Sequence, residues 1–148
     1  MSISPRLIAF FAVLGAASAN SSELVCIKGD YPDGNFERIF IKYKETEINE
    51  VQVNTQALTL AGNGYPCDVN PKRGDGETTW NTHGSVTEVT YRMAFVDDRS
   101  KYPKVIVTDT PSSVVVSLDV PFPRFCGASA ELPTRIVYSK KSRKCTFK

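Results

Sequence analysis

The sequence predicts an α+β fold, with one main helix packed on an antiparallel sheet, and three observations carry that expectation. Phe36, Ile39, Phe40 and Tyr43 recur at the spacing of one helix face. From Ser85 onward the apolar period drops to two, the mark of half-buried strands. Four cysteines follow a secretory leader, so two disulfides are expected to staple a small core. Helix first and meander second is the α+β order.

At the N-terminus, Arg6 precedes the apolar run Leu7 to Leu14 and the small-residue stretch Gly15-Ala16-Ala17-Ser18-Ala19. This pattern predicts a signal peptide over 1–19 and a single domain over 20–148; the apolar run is well short of the roughly 20 residues that span a bilayer. No later segment is apolar enough for an anchor, and the C-terminus is Lys-rich, so a secreted, soluble, monomeric product without membrane association is expected. Asn20-Ser21-Ser22 is a glycosylation sequon at the new N-terminus.

The helix is placed after the turn Tyr31-Pro32-Asp33-Gly34-Asn35, with Asn35 or Asp33 as its cap. Ile39, Ile41 and Tyr43 also alternate, so a strand over Arg38 to Lys44 competes with it. Glu50 to Leu60 reads as a second short helix or a loop. A polar loop is expected over Asp68 to Gly84, carrying Trp80 and His83. Val89, Tyr91, Met93 and Phe95 then share one strand face opposite Glu88, Thr90 and Arg92. Val105 to Val107, Ser113 to Val120, Arg135 to Tyr138 and Cys145 to Phe147 supply further strands, the last two bracketing the turn Ser139 to Arg143. Pro121, Pro123 and Pro133 predict a long loop around Cys126.

Charge narrows the partners little. Removing Arg6 from 18 basic residues leaves 17 against 16 acidic ones, a net +1. The distribution is uneven: Arg124, Arg135, Lys140, Lys141, Arg143, Lys144 and Lys148 follow Val120, opposed by Glu131 alone. Such an end reads either as a phosphate-facing patch or as a solvated hairpin tip that protects a sheet edge. With no C-x-x-C pair and His83 the single histidine, a zinc site has almost no ligand set, and no cofactor is expected.

The order of features resembles the ribonuclease-like secreted effectors of cereal powdery mildew fungi: an early cysteine, one helix, the step Gly64-Tyr65-Pro66, an antiparallel sheet and the ending Lys144-Cys145-Thr146-Phe147. That family is similar in fold to the guanyl-specific fungal ribonucleases. The resemblance implies Glu88 as the general base and Arg135, in Thr134-Arg135-Ile136-Val137-Tyr138, as the phosphate-facing cation. Other positions depart from the pattern. Cys67 stands where a histidine follows Tyr-Pro, and the last strand offers Lys144, Thr146 and Lys148 in place of an acid histidine; a lysine titrating near 10.4 is a poor proton donor at neutral pH. His83 lies in the wrong segment.

The resemblance therefore implies a pseudo-enzyme, a virulence effector delivered into plant cells that binds host RNA or a host protein to suppress immunity and is open to detection by an immune receptor. RNA would meet Tyr65, Arg135, Lys140, Lys141, Arg143 and Lys144, with Trp80 and Tyr138 as further stacking candidates. The family also implies a Cys26–Cys145 disulfide, leaving Cys67 with Cys126, although four cysteines permit three connectivities. The competing readings are an active secreted ribonuclease that uses Glu88, and an unrelated secreted inhibitor or adhesion module, which would lack the sheet-and-helix match.

Overall fold

Alternation, not helical spacing, governs the segment after the first turn. In the structure, a computed structural model that describes residues 21–58, 61–62, 64–119, 126 and 131–148, Phe36–Lys44 is a strand with Ile39 and Ile41 buried on one side and Phe36, Arg38 and Phe40 on the other. The expected main helix is absent, and with it the α+β, ribonuclease-like architecture. β-branched Ile39 and Ile41 pack well on a pleated surface, and strands on both sides take up the backbone hydrogen bonds of this one. Asn35 caps no helix; its Oδ1 accepts from the Leu58 N–H at 2.6 Å.

Ten strands and one 3₁₀ turn, Arg99–Lys101, make up the described regular structure. β1 (Ser21–Gly29), β2 (Phe36–Lys44), β3 (Glu47–Leu58) and β4 (Gly64–Val69) form a four-stranded sheet in chain order. β5 (Thr78–His83), β6 (Val86–Tyr91), β7 (Lys104–Asp109), β8 (Ser113–Asp119), β9 (Arg135–Ser139) and β10 (Lys144–Phe147) form a six-stranded one, also in chain order. All pairings are antiparallel.

Three further expectations are corrected. Of the segment Glu50 to Leu60, expected as a short helix or a loop, the part up to Leu58 is most of β3, where Val51, Val53 and Thr55 point inward and Gln52, Asn54 and Gln56 outward, and residues 59–60 lie outside the described residues. The expected loop Asp68 to Gly84 holds the end of β4, a short connection and β5, and Trp80 lies on β5 with its ring against the core. β6 ends at Tyr91, so Met93 and Phe95 leave the strand face assigned to them, and Phe95 is 91% exposed in the following loop.

One face of each sheet is buried against the other. Ile39, Ile41, Val51, Val53 and Val69 from the first and Val89, Val105, Val107, Val114, Val116 and Ile136 from the second merge into a single cluster. Two layers joined through one core define a β-sandwich. Each such side chain contributes about 1.5 to 3 kcal/mol by leaving water.

Two disulfides reinforce the arrangement. Cys26–Cys145 links β1 to β10, the first strand of one sheet to the last of the other, and Cys67–Cys126 ties β4 to the proline-rich segment. This is the connectivity the resemblance implies. The rest of that expected loop from Val120 to Ala130, the leader 1–19 and Asn20 of the sequon lie outside the described residues.

Turn chemistry fixes how the strands meet. Between β1 and β2, Gly29 sits at φ 93°, and a Cβ there would fall 2.1 Å from the Asn35 carbonyl oxygen, so glycine is required. Between β4 and β5, the Asp75 carboxylate accepts from the backbone N–H groups of Lys72, Glu77 and Thr78. Arg73 donates from Nε to the Ile48 carbonyl at 2.7 Å and lies over the Trp80 ring, 4.9 Å from its centroid. This connection joins the two sheets at the edge away from Cys26–Cys145.

Candidate functional site

The sequence-predicted residues do not converge on one face of the sandwich: Glu88 and Arg135 face outward, whereas Tyr65, Trp80 and Tyr138 stand at inward-facing positions of their strands. Glu88 and Arg135 share the outer face of the six-stranded sheet and one cross-strand row, which runs Asn81, Glu88, Ile106, Ser117, Arg135 over β5 to β9. Three strand spacings separate them, about 14 Å. A base and a cation that far apart do not meet on one phosphate. Glu88 is instead paired with Lys104, Nζ to Oε1 at 3.2 Å, on the neighbouring strand.

The RNA-binding set divides as well. Lys140, Lys141, Arg143 and Lys144 gather at the β9–β10 tip. Arg135 stands at the other end of β9, about 13 Å away. Tyr65 is on β4, at the far edge of the other sheet. Lys140 is tied by its ammonium to Asp109. Tyr138 and Tyr43 line a depression of about 580 Å³ beside the tip, together with Glu23, Asp109, Lys140 and Arg143. Burial, then the Asp109 charge, pushes the Tyr43 hydroxyl far above its ordinary range. The tip thus mixes acids with its cations. Trp80 offers no open stacking face there, since its ring packs on the core beneath Arg73. His83 is exposed on β5, and Cys67 is held in its disulfide.

The residues that the structure does bring together were missed by sequence reasoning. On the outer face of the four-stranded sheet, Ile27, Arg38, Asn54 and Asp68 form one row across all four strands. Hydrogen bonds link it: Arg38 Nη1 donates to Asn54 Oδ1 at 3.0 Å, and Asn54 Nδ2 donates to Asp68 Oδ1. In the adjacent row, Val25, Phe40 and Gln52 stand side by side, and Gln52 Oε1 accepts from the same Arg38 Nη1 at 3.0 Å.

Aromatic rings flank the guanidinium. Its carbon lies 5.4 Å from the centroids of both Tyr31 and Phe40, and Tyr31 meets Phe36 edge-on at 4.9 Å. Two rings and two amides therefore fix one arginine, which loses little freedom on meeting a ligand. Around it, Val25 and Ile27 on the outer face of β1 and Tyr31 in the β1–β2 turn are 48%, 44% and 47% exposed, which leaves apolar surface open beside the cation. Tyr31, Phe36, Arg38, Asn54, Pro66 and Asp68 border a shallow depression of about 260 Å³.

One signal for this face was present in the sequence. Gln52, Asn54 and Gln56 alternate with Val51, Val53 and Thr55, which becomes visible once the segment is read as a strand.

Among the described residues, no cluster of three or more His, Cys, Asp or Glu is placed to hold a metal ion, and no helix is long and apolar enough to cross a membrane. Comparison with known proteins finds no matching family model, no matching curated protein and no matching solved structure.

Proposed function

We propose that this chain is an exported binding module that works by recognition, through the outer face of its four-stranded sheet, and not by catalysis. The observation that carries this reading is the Arg38 cluster: a cation locked by two rings and two amides on an open, partly apolar face. Fixed polar groups beside exposed aromatic and aliphatic surface are what a recognition site needs, because little side-chain entropy remains to be lost. The leader and the paired cysteines support export. An effector role in a host plant, as the sequence resemblance implies, is one setting for such a module.

The ribonuclease alternative needs Glu88 and a phosphate-facing cation to converge, and the 14 Å row between Glu88 and Arg135 argues against it. A titration of the oxidised secreted form with single-stranded and structured RNA tests the point. The expected result is no cleavage, with at most weak, salt-labile binding that disappears in the Lys141→Ala/Arg143→Ala variant and persists in Arg38→Ala. Cleavage that vanishes in Glu88→Gln would overturn the reading.

A further inference from the structure

We propose that the outer face of the four-stranded sheet binds a neutral glycan, with Arg38, Asn54 and Asp68 reading sugar hydroxyls and Tyr31 flanking the sugar ring. The inference rests on the binding-module reading and names the ligand class of that same face.

Charge is the first argument. The face carries Arg38, Lys42, Lys44 and Lys72 against Glu23, Glu47, Glu50 and Asp68, four positive groups and four negative, so it has no net charge. A polyanion such as RNA gains nothing from such a surface, since its affinity comes from neutralising phosphates. The cations that would attract one are at the β9–β10 tip.

Hydrogen-bonding capacity is the second. A sugar hydroxyl both donates and accepts, so its recognition calls for fixed donors and fixed acceptors side by side. The row Arg38, Asn54, Asp68 supplies them in sequence: a guanidinium at one end, an amide polarised between the two, and a carboxylate at the other. Bonds linked in a chain strengthen one another. The other Arg38 N–H groups and the second Asp68 carboxylate oxygen make no hydrogen bond among the described residues, which leaves both ends of the chain able to meet a ligand.

Shape is the third. A sugar ring has apolar C–H faces, which pack on aromatic and aliphatic surface. Tyr31, Ile27 and Val25 provide that surface beside the polar row. From Phe36 to Phe40 the platform extends about 13 Å along β2, the reach of a short oligosaccharide. The depression of about 260 Å³ is shallow and bordered by polar groups. It lacks the enclosed apolar pocket in which a peptide anchor would be desolvated.

The test is retention of the oxidised secreted protein on insoluble cellulose, chitin, mannan and β-1,3-glucan, with polygalacturonate and homopolymeric RNA as anionic controls. The expected result is retention on at least one neutral polymer that survives about 0.5 M salt. Retention should fall about tenfold in Asp68→Ala and in Asn54→Ala, the size of one or two lost polar contacts, and should be unchanged in Lys141→Ala/Arg143→Ala. Thermal unfolding checks that each variant is folded; Gln52→Ala serves in place of Asn54→Ala if the latter is not. No retention on any neutral polymer, or retention indifferent to these substitutions, overturns the proposal. So does retention confined to the anionic polymers and lost in salt. Glu88-dependent RNA cleavage would remove the module reading itself, whereas failure on glycans without cleavage removes only the ligand class.

Discussion

Two rows of side chains cross the two outer faces of this sandwich, and they differ in what joins them. On the four-stranded sheet, Ile27, Arg38, Asn54 and Asp68 stand in register, and hydrogen bonds run from β2 through β3 to β4. On the six-stranded sheet, Glu88 and Arg135 stand in register too, but Ile106 and Ser117 lie between them. Register alone places residues on a line; only large polar side chains on adjacent strands turn the line into a site. The difference explains why Glu88 and Arg135 stay apart on their row, while the amides of β3 join Arg38 and Asp68 into one hydrogen-bonded cluster.

Both rows depend on the two sheets being one body, and the largest expected effect tests that. Removing Cys26–Cys145 by Cys26→Ala/Cys145→Ala releases a loop spanning 119 residues, and unfolded-state entropy puts the loss at about 5 kcal/mol. Removing Cys67–Cys126, which spans 59, should cost about 4 kcal/mol. Denaturant unfolding measures both. If the second loss clearly exceeded the first, the closure of β1 against β10 would not be the dominant link between the sheets.

A somewhat smaller effect sharpens the same point. Ile41→Ala in the four-stranded sheet and Ile136→Ala in the six-stranded sheet each empty a buried position of the shared core, and each should cost about 2 to 5 kcal/mol. Both should lower one cooperative transition, seen equally by Trp80 fluorescence and far-ultraviolet circular dichroism. Two separate transitions would split the core into two.

The smallest effect concerns the joint between β4 and β5. Desolvation raises the Asp75 pKa, but hydrogen bonds from Lys72, Thr78 and Glu77 outweigh it and hold the carboxyl below the ordinary aspartate value. A depressed folded pKa contributes stability above the unfolded value, near 3.9, and that contribution is lost as pH falls through the folded value. The unfolding temperature should therefore hold steady from neutral pH to about 5 and fall below it, and Asp75→Asn should flatten that fall. An unchanged acid slope in the variant would remove Asp75 from the joint's stability.

How much of this was legible in the sequence differs between the sheets for a physical reason. β7 to β10 have apolar residues on the core side and mostly polar or small ones outside, so alternation reveals them. β2 keeps Phe36 and Phe40 on its outer face, and with Ile39 and Tyr43 they imitate a helical stripe. Phe40, one of the rings that flank Arg38, is thus also one of the residues that disguised the strand. β3 is interrupted by a register shift opposite Lys42 and Tyr43, which breaks its period near Asn49. β5 is largely Thr, Asn and His around Trp80, and polar edge strands resemble loops. The hydrogen-bonded row depends on cross-strand register, which no single segment encodes.

The most direct test of the central proposal, that this protein recognises its ligand through the outer face of the four-stranded sheet, is amide chemical-shift mapping of the oxidised protein. The titrant is a soluble oligosaccharide from whichever neutral polymer retains it. The account predicts shifts centred on Ile27, Arg38, Asn54 and Asp68, with the β9–β10 tip unmoved. Shifts centred on Lys140 to Lys144, or on the row from Glu88 to Arg135, would contradict it.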